Sequence, residues 1–174
     1  MKKTFLILCM LLLSQARAQD FLVPHDPGLR LTVMPLVGLV AMKPGIGFDL
    51  GMGYGHLAWG ARIVGGAEAC FICNRSPEEE VYSSFMAGAR TEFSQGAIVF
   101  KSGIAKVHRA TRDPADVHGD GRLIDYDGYG IPFQLDIMWG GRVIGLCVSA
   151  MALADKDGGS GSLMVGIPIG LIRF

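Results

Sequence analysis

The sequence predicts an all-β protein, an eight-stranded antiparallel up-and-down transmembrane β-barrel. Three observations carry that expectation. An export signal opens the chain; beyond it, large apolar residues alternate with small or polar ones at a period of two; and eight segments with strand character are joined by connections of uneven length, some tight and some long.

The signal comes first. Lys2 and Lys3 form a basic start, Phe5 to Leu13 an apolar core of nine residues, and Ala16-Arg17-Ala18 a small-x-small site before Gln19, the pattern of a cleaved secretory signal. The apolar run is well short of the ~20 residues a membrane helix requires. Cys9 lies inside it and leaves with it. Residues 1–18 are therefore assigned to the signal peptide, 19–28 to a short lead and 29–174 to the barrel domain.

Loss of Lys2, Lys3 and Arg17 takes the basic residues from 16 to 13 against 16 acids, a difference of −3. That balance argues against a nucleic-acid binder, which carries a basic excess. Hydrophobic content of 50% alongside 25 glycines is unusual, and the absence of a Gly-X-Y period excludes collagen. The longest apolar stretches after the signal, Leu31–Met42 and Val143–Ala154, have twelve residues each. Such lengths suit a tilted barrel strand and not a spanning helix.

In chain order the predicted strands are Leu29–Met42, Ile46–Gly55, Leu57–Ala67, Glu80–Phe93, Ala97–Arg109, Ile124–Trp139, Arg142–Ala154 and Ser162–Phe174. The second sets Ile46, Phe48, Leu50, Met52 and Tyr54 on one face and Gly47, Asp49, Gly51, Gly53 and Gly55 on the other. The sixth repeats this with Tyr129, Ile131, Phe133, Leu135, Ile137 and Trp139 opposite Gly130, Pro132, Gln134, Asp136 and Met138. A period of two is the strand signature. In a membrane barrel the large residues meet lipid and the small ones clear a narrow lumen; in a water-soluble barrel the faces are exchanged.

Gly55-His56-Leu57, Ser94-Gln95-Gly96 and Gly140-Gly141 read as tight turns, and Gly-Gly suits a two-residue hairpin. Glu68–Glu79, Ala110–Leu123 and Asp155–Gly161 read as long loops, with Lys43-Pro44-Gly45 as a short one. With the amino terminus on the periplasmic side, tight turns fall inside and long loops outside, as in outer-membrane barrels. Tyr54, Trp59, Phe93, Trp139 and Phe174 gather near one set of strand ends, and Phe48, Phe71, Tyr82, Tyr126 and Tyr129 near the other, where interfacial girdles would lie. Alternation is mixed in Ala97–Arg109 and lost in the apolar last strand, where a bulge would reset the register.

These segments resemble the small outer-membrane β-barrel proteins of the porin-like superfamily, especially the glycine-rich exported barrels of Bacteroidota, and more distantly the OmpA-like and OmpX-like eight-stranded barrels. The residues that carry the resemblance are Ala16-Arg17-Ala18-Gln19, the Gly-Tyr-Gly around Tyr54, the loop from Cys70 to Glu80, the Gly130-Ile131-Pro132-Phe133-Gln134-Leu135 strand and Phe174. The resemblance implies a Gram-negative outer-membrane location among lipid and lipopolysaccharide, with the barrel-assembly machinery as a partner during insertion. Phe174, Ile172 and Gly170 would form the insertion signal, although Gly170 stands one place from the usual glycine. No catalytic residue is implied.

Eight strands leave an interior that side chains fill. Asp49, Arg62, Arg90, Glu92, Lys101, Gln134 and Asp136 are the polar strand residues expected inside, closing the lumen as a network. Cys70 and Cys73, spaced Cys-x-x-Cys in an exported loop, are a local disulfide candidate. A zinc site would need two further ligands and a redox motif a helix start. Cys147 reads as a small hydrophobe within a strand. Asp116-Val117-His118-Gly119-Asp120-Gly121 runs on to Asp127 at the twelfth place, the spacing of a calcium loop. Asp116, His118, Asp120 and Asp127 are thus candidate metal ligands, against the plainer reading of a solvated Asp/Gly turn.

Lipid A-modifying barrels carry a His-x-Ser pair or an Asp-Ser dipeptide; neither occurs here. His108 with Glu92 and Ser102 is the one loose acid, base and nucleophile grouping. The expectation is a non-enzymatic outer-membrane barrel, without cofactor, having a structural, adhesive or binding role through its outer loops toward an unidentified surface partner. The alternative is a soluble periplasmic lipocalin-like barrel holding a small apolar ligand, and a lesser one is a lipid A-modifying outer-membrane enzyme.

Overall fold

A computed structural model describes residues 29–68, 78–93, 95–112, 123–140, 144–156 and 158–173. The signal and lead, Cys70, Cys73, Asp116, His118, Asp120 and Phe174 lie outside the described residues, as does the side chain of Ile172. Among the described residues nine strands form: β1 (Leu29–Val40), β2 (Lys43–Tyr54), β3 (Leu57–Ala67), β4 (Glu79–Phe93), β5 (Gly96–Arg112), β6 (Leu123–Gly140), β7 (Gly145–Asp155), β8 (Gly158–Gly166) and β9 (Ile169–Arg173). All pairings are antiparallel; from β1 to β8 each strand lies beside the next in sequence, and β1 closes the barrel by pairing with β2 on one side and with β8 and β9 on the other.

The nine strands make eight staves. β8 and β9 keep one register against β1, from Val40↔Ser162 to Val33↔Ile169, and are parted only at Ile167-Pro168. Pro168 has no N–H to donate, which breaks the ladder there. The register then slips one residue at Leu171, opposite Leu31 and Thr32, so a bulge does reset the last strand. β5 needs none. Its register against β4 runs unbroken from Glu79↔Ala110 to Phe93↔Gly96.

Three connections differ from expectation. Lys43-Pro44-Gly45 belongs to β2, and the turn is Ala41-Met42, with φ of 48° and 67°. Neither residue is a turn former, so the sequence conceals a hairpin that demands left-handed backbone at both positions. Asp155–Gly161 is no long loop, because Asp155 pairs with Gly158 across two residues. Its Gly/Ser composition disfavours a strand in isolation, yet the open edge of β7 requires a neighbour to satisfy its backbone. At the other rim β6 and β7 close at Gly140↔Gly145, so Gly140-Gly141 is not a two-residue hairpin.

Side chains are partitioned inside out. Phe85 is 62% exposed and Phe100 50%, and Ile46, Phe48, Phe133 and Leu163 also face outward. Met34, Val64, Tyr82, Val107, Met151 and Met164 pack in the interior. Pro132 interrupts the β5–β6 ladder between Ser102↔Phe133 and Ala105↔Gly130, and the Ser102 hydroxyl donates to its carbonyl at 2.8 Å.

Candidate functional site: a buried polar layer across the lumen

Alternation delivers one inward polar side chain after another at mid-height. Asp49 comes from β2, Arg62 from β3, Lys101 from β5, Gln134 and Asp136 from β6, and Ser149 from β7, all buried. Register sets all six in three direct cross-strand pairs: Asp49↔Arg62, Lys101↔Gln134 and Asp136↔Ser149.

The Lys101 ammonium lies between two carboxylates, 3.2 Å from Asp49 Oδ2 and 3.4 Å from Asp136 Oδ2. The Gln134 amide donates to Asp49 Oδ2 at 3.0 Å and to Asp136 Oδ2 at 2.6 Å. Ser149 Oγ donates to Asp136 Oδ1 at 2.6 Å and accepts from Arg62 Nη1 at 2.6 Å. Hydrogen bonds therefore cross the lumen from β2 through β6 to β7 and return to β3. Two carboxylates face two cations, and the layer is formally neutral. Charges so desolvated persist only when paired and hydrogen-bonded.

The glycines of β2 and β3 make room for these groups. A Cβ on Gly60 would stand 3.1 Å from Lys101 Nζ and 3.4 Å from Asp49 Oδ1. Small residues on Asp49's face thus leave space for long charged side chains reaching from the far wall.

Of the seven residues anticipated inside, five meet in this layer; Arg90 and Glu92 do not. They form a second cluster toward the β4–β5 turn, where Arg90 Nε donates to Glu92 Oε1 at 3.0 Å and Arg30 pairs with the same oxygen. At the opposite end Arg109 pairs with Glu80 at 3.2 Å and with Asp155 at 2.7 Å. Ser149, Arg30, Glu80, Arg109 and Asp155 join these clusters without being marked as interior polar residues by the sequence. Inward parity marked Ser149, since it shares a face with Cys147 and Met151, but the apolar run around it hid the signal. Cys147 is fully buried inside and unpaired.

The His108, Glu92 and Ser102 grouping is not brought together. His108 faces outward beside Asp127 at 3.3 Å and Glu79 at 3.8 Å, Ser102 serves Pro132, and Glu92 lies at the other end of the barrel. Of the candidate metal ligands only Asp127 is among the described residues; it sits within β6, paired in register with His108. The strand begins at Leu123 and its extended backbone carries Asp127 outward. Among the described residues no group of three His, Cys, Asp or Glu is arranged to hold a metal ion.

No protein-family model and no curated protein sequence matches the chain. Solved structures do. The N-terminal β-barrel domain of Pseudomonas aeruginosa OprF superposes with a TM-score of 0.58 at 7% identity, over 84% of this chain and 99% of that one. Ail, the attachment invasion locus protein of Yersinia pestis, gives 0.54 at 10% identity over 83% and 97%. Neisserial surface protein A gives 0.51 at 8% over 82% and 95%. The fold of this chain is that of the small eight-stranded outer-membrane barrels.

Proposed function

We propose that the protein is a non-enzymatic barrel of the Gram-negative outer membrane, exported by its signal peptide, with a closed lumen and a binding or adhesive role on its outer side. The observation that carries this reading is the inside-out partition. Phenylalanines and aliphatic residues cover the outer wall while Arg62, Gln134 and Asp136 are at most 1% exposed. Only a hydrocarbon solvent favours that arrangement. A lipocalin-like barrel would bury the apolar face and solvate the other.

The polar layer favours a plug over a pore, because its bonds cross the full width of the interior. Lipid and lipopolysaccharide then surround the belt, and the assembly machinery reads the final strand through Gly170, Ile172 and Phe174. A role at the surface is favoured by the length of β4, β5 and β6, which have 15, 17 and 18 residues against the ~9–11 that cross a membrane, and Ail is a protein of the same fold named for attachment. The test is fractionation of expressing cells, gel mobility before and after boiling, and single-channel recording. Membrane partition, a shift on boiling and no porin-sized conductance are expected. Solubility without detergent would overturn the location, and a steady open channel would overturn the plug.

A further inference from the structure

The polar layer is neutral as a whole and uneven within. Both of its carboxylates lie against Lys101. Arg62, only 1% exposed, makes no ion pair among the described residues and spends a single nitrogen, Nη1, on Ser149. Its Nε and Nη2 are buried without a partner. The N–H groups of a buried cation are thus left over, and a guanidinium can only donate.

Hydroxyls stand around the same guanidinium. Ser84 is paired with Arg62 across β3 and β4. Tyr82, two places along β4 on the same inner face, lies beside Ser162 and within the field of Arg62. Ser162 pairs with Met151, the inward residue next to Ser149 along β7, so it is a diagonal neighbour of the hydroxyl that Arg62 already grips. Tyr82 Oη, Ser84 Oγ and Ser162 Oγ are all buried without a partner, and none of the three residues is more than 7% exposed. β3, β4 and β8 therefore bring unpartnered polar atoms to one level, just outward of the layer. Their surroundings are otherwise apolar. Val64 and Val107 flank Tyr82, and Val40 and Met151 flank Ser162. Farther out, Glu80 and Asp155 are held by Arg109.

Donors dominate this level. The acceptor left over beside them, Gln134 Oε1, is one carboxamide oxygen. A bound water would satisfy part of the set and would need acceptors for its own hydrogens. A monatomic anion accepts from every side, and its charge strengthens each bond from the guanidinium. Apolar walls favour a singly charged guest over sulfate or phosphate, whose dehydration costs more.

We infer that Arg62, Tyr82, Ser84 and Ser162 form a binding site for a dehydrated halide ion, chloride in ordinary media, enclosed in the lumen on the outer side of the polar layer. The site stands on the barrel interior and is independent of the surface role proposed above. A halide that binds the folded barrel and not the unfolded chain raises stability by mass action. The test is therefore the urea midpoint of the refolded full-length barrel in zwitterionic micelles, with sodium chloride exchanged for sodium gluconate at constant ionic strength. The midpoint is expected to rise and saturate with chloride and with bromide, and to show no saturable rise with sulfate. Tyr82→Phe and Ser162→Ala should each weaken the apparent halide affinity about tenfold, the loss of one hydrogen bond to an ion, while keeping the mobility shift on boiling. Arg62→Met should abolish the halide response; if that variant does not fold, the two hydroxyl variants decide. A midpoint that follows ionic strength alone, as a site filled by water would give, overturns the inference. So does a halide response left unchanged in both hydroxyl variants. Failure of cell fractionation would instead strike the location and leave this measurement standing.

Discussion

Lys101 is the place to test the buried layer by perturbation. Lys101→Met keeps the length and apolar stem of the side chain and removes the one ammonium that lies within 3.4 Å of both Asp49 and Asp136. Two buried carboxylates then share the single Gln134 amide, with Ser149 serving one of them. Breaking a buried ion pair by deleting one partner costs ~3–5 kcal/mol. With an m-value of ~2 kcal/mol/M in urea, a loss of ~4 kcal/mol lowers the unfolding midpoint by ~2 M. The assay is urea titration in lipid vesicles, followed by the fluorescence of Trp59 and Trp139 and by loss of the fast-migrating unboiled band. Asp49→Asn on the Lys101→Met background removes one of the two carboxylates, leaves Asp136 to balance Arg62 through Ser149, and should restore at least half of the lost midpoint. A shift below ~0.5 M for the single variant, at unchanged m, would refute the argument that this layer is dry and tightly paired.

The lipid-facing assignment predicts that Phe133→Lys costs ~2–4 kcal/mol in vesicles, whereas the same change on a water-facing wall would be nearly neutral; vesicle unfolding separates the two. Met42→Gly relieves a φ of 67° and should stabilise by ~1 kcal/mol, read as a higher urea midpoint. Gly88→Ala would drive a Cβ into the Phe100 carbonyl oxygen, while at Gly51 the nearest atom would lie 3.8 Å away. The first should lose up to ~3 kcal/mol or fail to refold by the boiling shift, and the second should fold normally.

Much of this barrel could be read from the chain because period-two alternation is strong wherever one face must be apolar and the other small. β2 and β6 show it plainly, and their inward Asp49, Gln134 and Asp136 followed. Legibility failed where closure overrides local preference. Ala41-Met42 carries no turn chemistry, yet the pairing of β1 with β2 forces it into a left-handed hairpin. Gly158–Gly161 looks like a loop but completes β8 against β7. Parity could place Arg90 and Glu92 inside but not at which height, since depth depends on stagger between staves, and that is a property of the closed sheet. Ser149 was missed because it is a lone hydroxyl in an apolar run, polar only in the company of Asp136 and Arg62.

Cys147 gives the closed interior a practical consequence. Its thiol is buried and unpaired on the inner wall, two places along β7 from Ser149, so a bulky alkylating reagent can reach it only after the surrounding packing parts. The protein therefore carries its own clock for breathing of the lumen. Its rate of modification in intact membranes reports how often the interior opens, with no label introduced and no residue changed.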